Sequence, residues 1–225
     1  MAPKEHAGLE ALSFIRDGMI VGLGTGSTAK YFIDHLGEAL REGRLKNIRG
    51  IPTSVRSAEQ AKGLGIPLTD FAESAAVDIT VDGADEVGPG LNLIKGLGGA
   101  LLREKLVAQN SRRLVIIVDE SKKVGVLGTH SPLPVEVAQF SHEAGRRFLA
   151  GLGCTPTLRM SDKGAPFVTD NGNFIYDCRF ARIDDPAGLE EKLAHRAGIV
   201  ETGLFIGMAD TVIIAGEQDV HILKR

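Results

Sequence analysis

Carboxylates and an ammonium group alternate with glycines in the stretch from Asp82 to Glu104. The stretch begins DGADE at Asp82, continues KGLGGA from Lys95 after a short loop, and ends at Glu104. Glycine allows a ligand to approach the backbone closely, because it carries no side chain. Acid–base groups, a cation and accessible backbone are the parts of a polar active site, and they are not the composition of a packed core.

The pair Asp82 and Asp85 has three interpretations, which the residues alone leave open. The segment Val77–Val81 is short and β-branched, so it predicts a strand that ends at Asp82. Ligands bind at the carboxyl ends of strands in open α/β sheets. The two carboxylates then serve acid–base catalysis and hydroxyl binding, or hold Mg²⁺. The third interpretation is a capped surface turn, which Asp and Gly favour.

Lys95 and Glu104 each have one functional and one ordinary interpretation. Lys95 either balances the aspartates or a developing oxyanion, or it is a solvated lysine. A helix is predicted from Ala100 to Asn110, with Leu102 and Leu106 on its buried side. Glu104 then points roughly the opposite way. The pattern therefore favours a solvated Glu104, and a general base in a cleft is the alternative.

A second glycine-rich segment, GLGTGST from Gly22 to Thr28, follows a predicted strand at Met19–Val21 and precedes a predicted helix at Ala29–Arg41. Such a loop at a helix start suits an anion, because backbone N–H groups and the helix dipole both attract negative charge. The segment lacks the Gly-Lys-[Ser/Thr] ending of a P-loop and the dinucleotide spacing. It is an anion cradle or a tight structural turn; its hydroxyls donate to the anion or cap the helix.

Strands that alternate with helices predict an α/β domain with an open, mostly parallel wound sheet and helices on both faces. After about residue 130 the pattern changes to strands at 135–137, 157–160, 167–168 and 174–176, with a hairpin turn at 170–173. We predict a smaller α+β domain of ferredoxin-like type over 131–205. Residues 1–130 and 206–225 form the predicted catalytic domain.

The composition excludes several classes of protein. The 225 residues are 43% hydrophobic and 24% charged, with a formal charge of −3, so no basic field favours nucleic acid. Two cysteines make no disulfide framework and predict a reduced, cytoplasmic setting. The amino terminus lacks the apolar segment of a signal peptide, and no apolar run is long enough for a membrane span. The six histidines show no metal-ligand spacing.

Taken together, the motifs resemble those of the type A ribose-5-phosphate isomerase family. The resemblance rests on the segments at 22–28, 82–86 and 95–105, on Ser121-Lys122 and on PLPVEV from Pro132. TDNGN from Thr169 and Gly203-Leu204-Phe205 extend it over almost the whole chain. Leu97 departs from the pattern, since bacterial members often have glycine there, and we expect its backbone still to line the site.

The resemblance implies an aldose–ketose isomerase of the non-oxidative pentose phosphate pathway. Such an enzyme interconverts D-ribose 5-phosphate and D-ribulose 5-phosphate through an enediolate, without a metal or an organic cofactor. It implies that Glu104 is the base, that Lys95 and Asp85 stabilise the enediolate, and that Asp82 assists ring opening. The implied substrate-binding residues are Thr25, Gly26, Ser27, Thr28, Gly83, Ala84, Gly96, Leu97, Gly98 and Lys122. Members are usually homodimers or homotetramers that often associate through the small domain.

Two other classes remain at this point. One is a sugar-phosphate sensor on the same fold, although a sensor need not keep Glu104 and Lys95. The other is a relative of the coenzyme A transferases, which needs an acyl-accepting glutamate in another context and a longer chain.

Overall fold

A computed structural model describes residues 2–217 and 219–225. Met1 and Gln218, which belong to the predicted catalytic domain, lie outside the described residues. The chain divides into two compact units. The first contains Met1–Ala84, Arg103–Lys122 and Met208–Arg225, and the second contains Asp85–Leu102 and Lys123–Gly207. Over the described ranges, no helix is both long and apolar enough to cross a membrane.

The helices and strands follow the order that the sequence predicts, with two short additions and with one predicted strand, at 167–168, missing. The helices are α1 (Pro3–Ala11), α2 (Ala29–Arg41), α3 (Val55–Gly63), α4 (Leu101–Gln109), α5 (His142–Gly151) and α6 (Pro186–Ala194). The strands are β1 (Ile20–Leu23), β2 (Arg49–Pro52), β3 (Ile79–Asp82), β4 (Glu86–Val87), β5 (Leu93–Ile94), β6 (Leu114–Asp119), β7 (Leu133–Val137), β8 (Thr155–Leu158), β9 (Phe174–Arg179), β10 (Ile199–Thr202), β11 (Leu204–Phe205), β12 (Thr211–Ala215) and β13 (Val220–Lys224). The additions are β4 and β5, and the one strand predicted near 200–205 is divided into β10 and β11.

The first unit is built on a six-stranded sheet in the order β13-β12-β6-β3-β1-β2. Every neighbouring pair is parallel except β12 and β13, which form an antiparallel edge. The buried strand β6 has an unbroken apolar run, as strands of parallel sheets do. The predicted open, mostly parallel sheet is confirmed.

Helices cover both faces of this sheet, and strand β1 shows how. Val21 and Leu23 point to one face, where they join a core cluster with Phe32 and Ile33 of α2. Gly22 points to the other face, where an added Cβ would lie 2.9 Å from Cγ1 of Val107 in α4. Successive side chains of a strand alternate between faces. Each face of β1 is therefore packed against a different helix.

The second unit contains a four-stranded antiparallel sheet in the order β10-β7-β9-β8. Along the chain its elements run β7-α5-β8-β9-α6-β10, which is the ferredoxin-like arrangement. Its core includes Val135, Leu149, Tyr176 and Leu193. The predicted ferredoxin-like α+β unit is confirmed.

A small antiparallel sheet, β11-β5-β4, replaces the plain loop expected between Glu86 and Lys95. Glu86 holds this small sheet in place, and its carboxylate is completely buried. One oxygen accepts a hydrogen bond from the N–H of Gly128 at 2.6 Å, and the other accepts from His130 at 2.7 Å and Ser131 at 2.6 Å. Sequence periodicity does not reveal such short strands, because the partners are far apart in the chain.

The predicted strand at 167–168 is wrong, while the predicted turn at 170–173 is confirmed. Thr169 N–H donates to the carbonyl of Asn173 at 2.9 Å, and Gly172 takes a φ of 80° in the turn. The segment before it forms only an isolated bridge between Met160 and Pro166. Phe167 N–H donates to the carbonyl of Arg159 at 2.9 Å, but this bond and the single bridge do not continue into a ladder.

Candidate active site

The carboxyl ends of β1 and β3 meet at one edge of the sheet, and they bring the glycine loop to Asp82. Leu23 pairs with Val81 in the parallel register, so the residues that follow lie side by side. One carboxylate oxygen, Oδ1 of Asp82, accepts hydrogen bonds from the N–H of Thr25 at 2.9 Å and of Gly83 at 2.7 Å. Asp82 is 1% exposed, so its interpretation as part of a surface turn is wrong.

Gly24 makes this close approach possible. A Cβ added to Gly24 would lie 2.3 Å from Oδ1 of Asp82 and 2.5 Å from its Cα. The hydroxyl of Thr25 forms hydrogen bonds with Oγ1 of Thr53 at 2.7 Å and with Oγ of Ser54 at 2.8 Å. Ser54 caps α3 through a hydrogen bond with the N–H of Ser57. The loop therefore links Asp82 to the start of α3.

The other end of the loop opens α2 and borders a cleft of about 410 Å³. Thr28 is the residue before the helix, and its side chain makes no capping hydrogen bond. Nζ of Lys4 donates to Oγ of Ser27 at 3.0 Å, and Lys30 and Arg56 line the cleft. Three cations and a helix amino terminus suit an anion. Sequence reasoning missed Lys4, because nothing in the pattern of α1 marks it.

Glu104 lies in α4 on the side that the sequence assigned to solvent, and that assignment is wrong. Glu104 is 3% exposed and Lys105 is 3% exposed, whereas Leu106 is 44% exposed. The helix buries a charged carboxylate and leaves a leucine in water, which apolar periodicity cannot predict. A buried carboxylate in such a helix is a candidate functional group.

Lys122 ends a single helical turn after β6 and is half-buried. The same region contains Glu120, which comes together with Asp219 and His221. Within the part of the chain that the structure describes, this is the one group of three or more side chains able to hold a metal ion, and all three members are exposed. Asp82 is not a member, and Gly83 and Ala84 follow it as half-exposed backbone.

In the second unit, Asp85 and Lys95 are held by the small sheet. Asp85 N–H donates to the carbonyl of Ile94 at 2.8 Å, and Lys95 N–H donates to that of Gly203 at 2.9 Å. The Lys95 side chain is 2% exposed, and its Nζ lies 5.3 Å from the centroid of the Phe205 ring. The interpretation of Lys95 as an ordinary solvated lysine is therefore wrong.

The loop after Lys95 exposes its backbone. Gly96 takes a φ of 103°, and Leu97 and Gly98 are exposed. Leu97 N–H donates to Oδ2 of Asp85 at 2.9 Å, so Asp85 is tied to the loop. The side chain of Leu97 takes no part in this contact, which fits the expectation that its backbone carries the function.

The two cysteines do not provide a nucleophile. Cys154 and Cys178 are free and buried. A hydrogen bond with the Cys154 side chain, together with burial, raises the pKa of the Cys178 thiol far above its ordinary value. Burial makes both thiols inaccessible, and the raised pKa keeps Cys178 neutral, whereas the thiolate is the nucleophile.

Comparison with known proteins identifies the family to which this chain is similar. Residues 49–219 match the family described as ribose 5-phosphate isomerase A (phosphoriboisomerase A). The ribose-5-phosphate isomerase A of Gloeobacter violaceus is 52% identical over 221 residues, which cover 98% of this chain and 95% of that protein.

Solved structures of ribose-5-phosphate isomerases are also similar to this chain. A D-ribose-5-phosphate isomerase in complex with phospho-erythronic acid has a TM-score of 0.96 and 43% identity, covering 99% of this chain and 97% of its own. The ribose 5-phosphate isomerase A of Methanocaldococcus jannaschii has a TM-score of 0.94 and 42% identity, covering 99% and 98%.

The approach of Gly24 to Asp82 leads to a test. We expect Gly24→Ala to lower the free energy of unfolding by about 1–3 kcal/mol, because the new methyl group overlaps Asp82. Denaturant unfolding measures the change. Gly63→Ala is the control, since a Cβ at Gly63 in α3 meets nothing within 4 Å. Equal stability of the two variants contradicts the close packing.

Proposed function

The chain belongs to the ribose 5-phosphate isomerase A family, and we propose from this premise how its own residues carry the reaction. The protein is an isomerase that interconverts D-ribose 5-phosphate and D-ribulose 5-phosphate in the pentose phosphate pathway. The burial of two ionisable side chains from the family motif, Glu104 and Lys95, is the observation that supports the assignment of roles. A direct assay of ribose 5-phosphate conversion also separates this enzyme from a sensor, which binds without turnover.

Glu104 is the base in this proposal. In the open-chain aldose, the Glu104 carboxylate takes the proton from C2, and the bonding electrons form an enediolate with negative charge on O1. The same carboxyl group then returns the proton to C1, while the hydroxyl proton of O2 passes to O1. One base that reaches both carbons is sufficient, because the proton that it removes from C2 is the proton that it returns to C1. Burial keeps water from competing for that proton.

Lys95 and Asp85 stabilise the enediolate and position the sugar oxygens. A fixed cation in a site with little water stabilises charge that develops in the transition state. Asp82 assists ring opening of the furanose and holds hydroxyls, since its Oδ1 is fixed by two N–H groups. The backbone of Gly83, Ala84 and Gly96–Gly98 contributes further hydrogen bonds to the substrate.

The phosphate binds at the amino terminus of α2 in this proposal. Gly26, Ser27 and Thr28 present N–H groups and hydroxyls there, and Lys4 and Lys122 add positive charge. Thr25 acts through its backbone, because its hydroxyl is engaged with Thr53 and Ser54. Binding energy from a remote phosphate orients the reacting carbons.

We also propose that the reaction needs no metal or organic cofactor. Dialysis of the wild-type enzyme against EDTA tests this, since magnesium-dependent recovery of lost activity contradicts it. The enzyme is proposed to act in the cytoplasm, where free thiols such as Cys154 and Cys178 are typical.

Glu104→Gln tests the base. The amide keeps the shape of the side chain but cannot accept the C2 proton, so we expect kcat to fall by about 10²–10⁴-fold or more. Substrate binding should remain, as measured by protection against thermal unfolding. Glu59→Gln, at an exposed position of α3, serves as the control and should retain wild-type turnover. Near-wild-type turnover of Glu104→Gln contradicts the assignment.

Thr28→Ala tests phosphate binding. A hydrogen bond to a charged group contributes about 1.5–3 kcal/mol, so kcat/KM for ribose 5-phosphate should fall on the order of tenfold or more. Unphosphorylated ribose should be affected much less. The melting temperature should change little, because Thr28 makes no capping hydrogen bond. Ser54→Ala removes a true helix cap and should show the contrast, a loss of about 1 kcal/mol in stability. An equal loss on both sugars is the contrary result.

Self-association is proposed through the small domain at 131–205, as a homodimer or homotetramer. Its support is the apolar surface of this segment, where Phe140 is 89% exposed, Met160 52% and Val168 50%. Sedimentation should give two or four times the chain mass of 23.9 kDa. Phe140→Asp should weaken association, whereas Leu9→Asp on the exposed side of α1 should not. A monomeric wild-type protein at micromolar concentration contradicts the proposal.

A further inference from the structure

The guanidinium group of Arg159 lies against the backbone of the loop that follows Lys95. Its Nη1 donates to the carbonyl oxygen of Gly96 at 3.1 Å and to that of Leu97 at 3.2 Å. Its Nε and Nη2 donate to the two carboxylate oxygens of Asp177, at 2.9 Å and 2.5 Å. The Arg159 and Asp177 side chains are only 13% and 24% exposed. A single planar group therefore connects strand β9 to two successive carbonyls.

The direction of these carbonyls fixes the direction of the neighbouring N–H groups. The described residues contain no cis peptide bond, and in a trans peptide the N–H points away from the C=O. The carbonyl of Gly96 faces Arg159, and the N–H of Leu97 accordingly points away and donates to Oδ2 of Asp85 at 2.9 Å. The carbonyl of Leu97 also faces Arg159. The N–H of Gly98 must therefore point away from Arg159 as well.

The far end of the loop is packed on Phe167. A Cβ added to Gly99 would lie 2.6 Å from Cζ of Phe167, and Gly99 has a φ of 81° that favours glycine. The ring centroid of Phe167 lies 5.8 Å from Cζ of Arg159. The loop is held by hydrogen bonds at Gly96 and Leu97 and by van der Waals contact at Gly99.

We infer that Arg159, clamped by Asp177, is a positioning residue that aims the N–H groups of Leu97 and Gly98 for the isomerisation. The inference rests on the function proposed above, in which this loop serves the substrate. Leu97 N–H fixes Asp85, and Gly98 N–H is a donor for an oxygen of the sugar or its enediolate. Lysine cannot replace Arg159, because its single ammonium group lacks the planar fork that spans a carboxylate and two carbonyls.

The test compares Arg159→Lys with Asp177→Asn. We expect Arg159→Lys to lower kcat by about 10- to 100-fold, since displacing reacting groups by about 1 Å can cost 10²-fold. KM should stay within about threefold, because the phosphate is bound elsewhere. Asp177→Asn should lower kcat less, and the double variant should resemble Arg159→Lys alone, since both changes act through one contact.

Arg182→Lys is the matched control, because Arg182 forms an exposed ion pair with Asp184 in the same unit. It should keep wild-type kcat. A purely structural Arg159 lowers the melting temperature without changing the kcat of the folded fraction, and that result overturns the inference. If Arg159→Lys does not fold, an unchanged kcat for Asp177→Asn overturns it equally. Both readouts require an active wild-type enzyme, so an inactive one overturns the proposed function instead.

Discussion

Buried carboxylates that accept hydrogen bonds from main-chain N–H groups determine how the loops of this protein are placed. Removing a charge from water is costly unless strong donors replace the hydration. Asp82 accepts from Thr25 and Gly83, and Glu86 accepts from three N–H groups of one loop, at positions 128, 130 and 131. Asp78, which is partly exposed, and Asp210, which is exposed, also accept from main-chain N–H groups, those of Ile20 and Leu114. Each of these carboxylates thus holds a main-chain segment in one conformation. The candidate functional groups on those segments are positioned by the same hydrogen bonds.

This dependence on backbone explains why the loop after Lys95 tolerates a leucine. The N–H of Leu97 is bound to Asp85 and its carbonyl to Arg159, while its side chain is 41% exposed. The peptide groups of Leu97 are oriented by these main-chain contacts, in which its side chain takes no part. At Gly24, by contrast, the backbone itself touches Asp82, and any side chain collides.

Much of the fold follows from local sequence pattern, and the exceptions share a cause. Helix α2 has a periodic apolar side, and its bounds, Ala29–Arg41, are those predicted. The strands β4 and β5 are two residues long and exist because Glu86 anchors them to a distant loop, which no local pattern records. Glu104 was predicted to be solvated because leucines seemed to mark the opposite side of α4. Only the family motif pointed to it as the base, since a functional site can reverse the usual preference for apolar residues inside.

The position of β12 in the central sheet has a consequence for biosynthesis. It lies between β6 and β13, every residue of it is buried, and Ile213 and Ala215 belong to the main core. The ribosome makes β12 roughly 90 residues after β6, a delay on the order of 5–20 s at about 5–20 residues per second. During that interval one edge of β6 lacks its partner, while the whole ferredoxin-like unit from β7 to β10 is being synthesised. The six-stranded sheet therefore cannot be completed until β12 has been made, because β12 joins β6 to the edge strand β13.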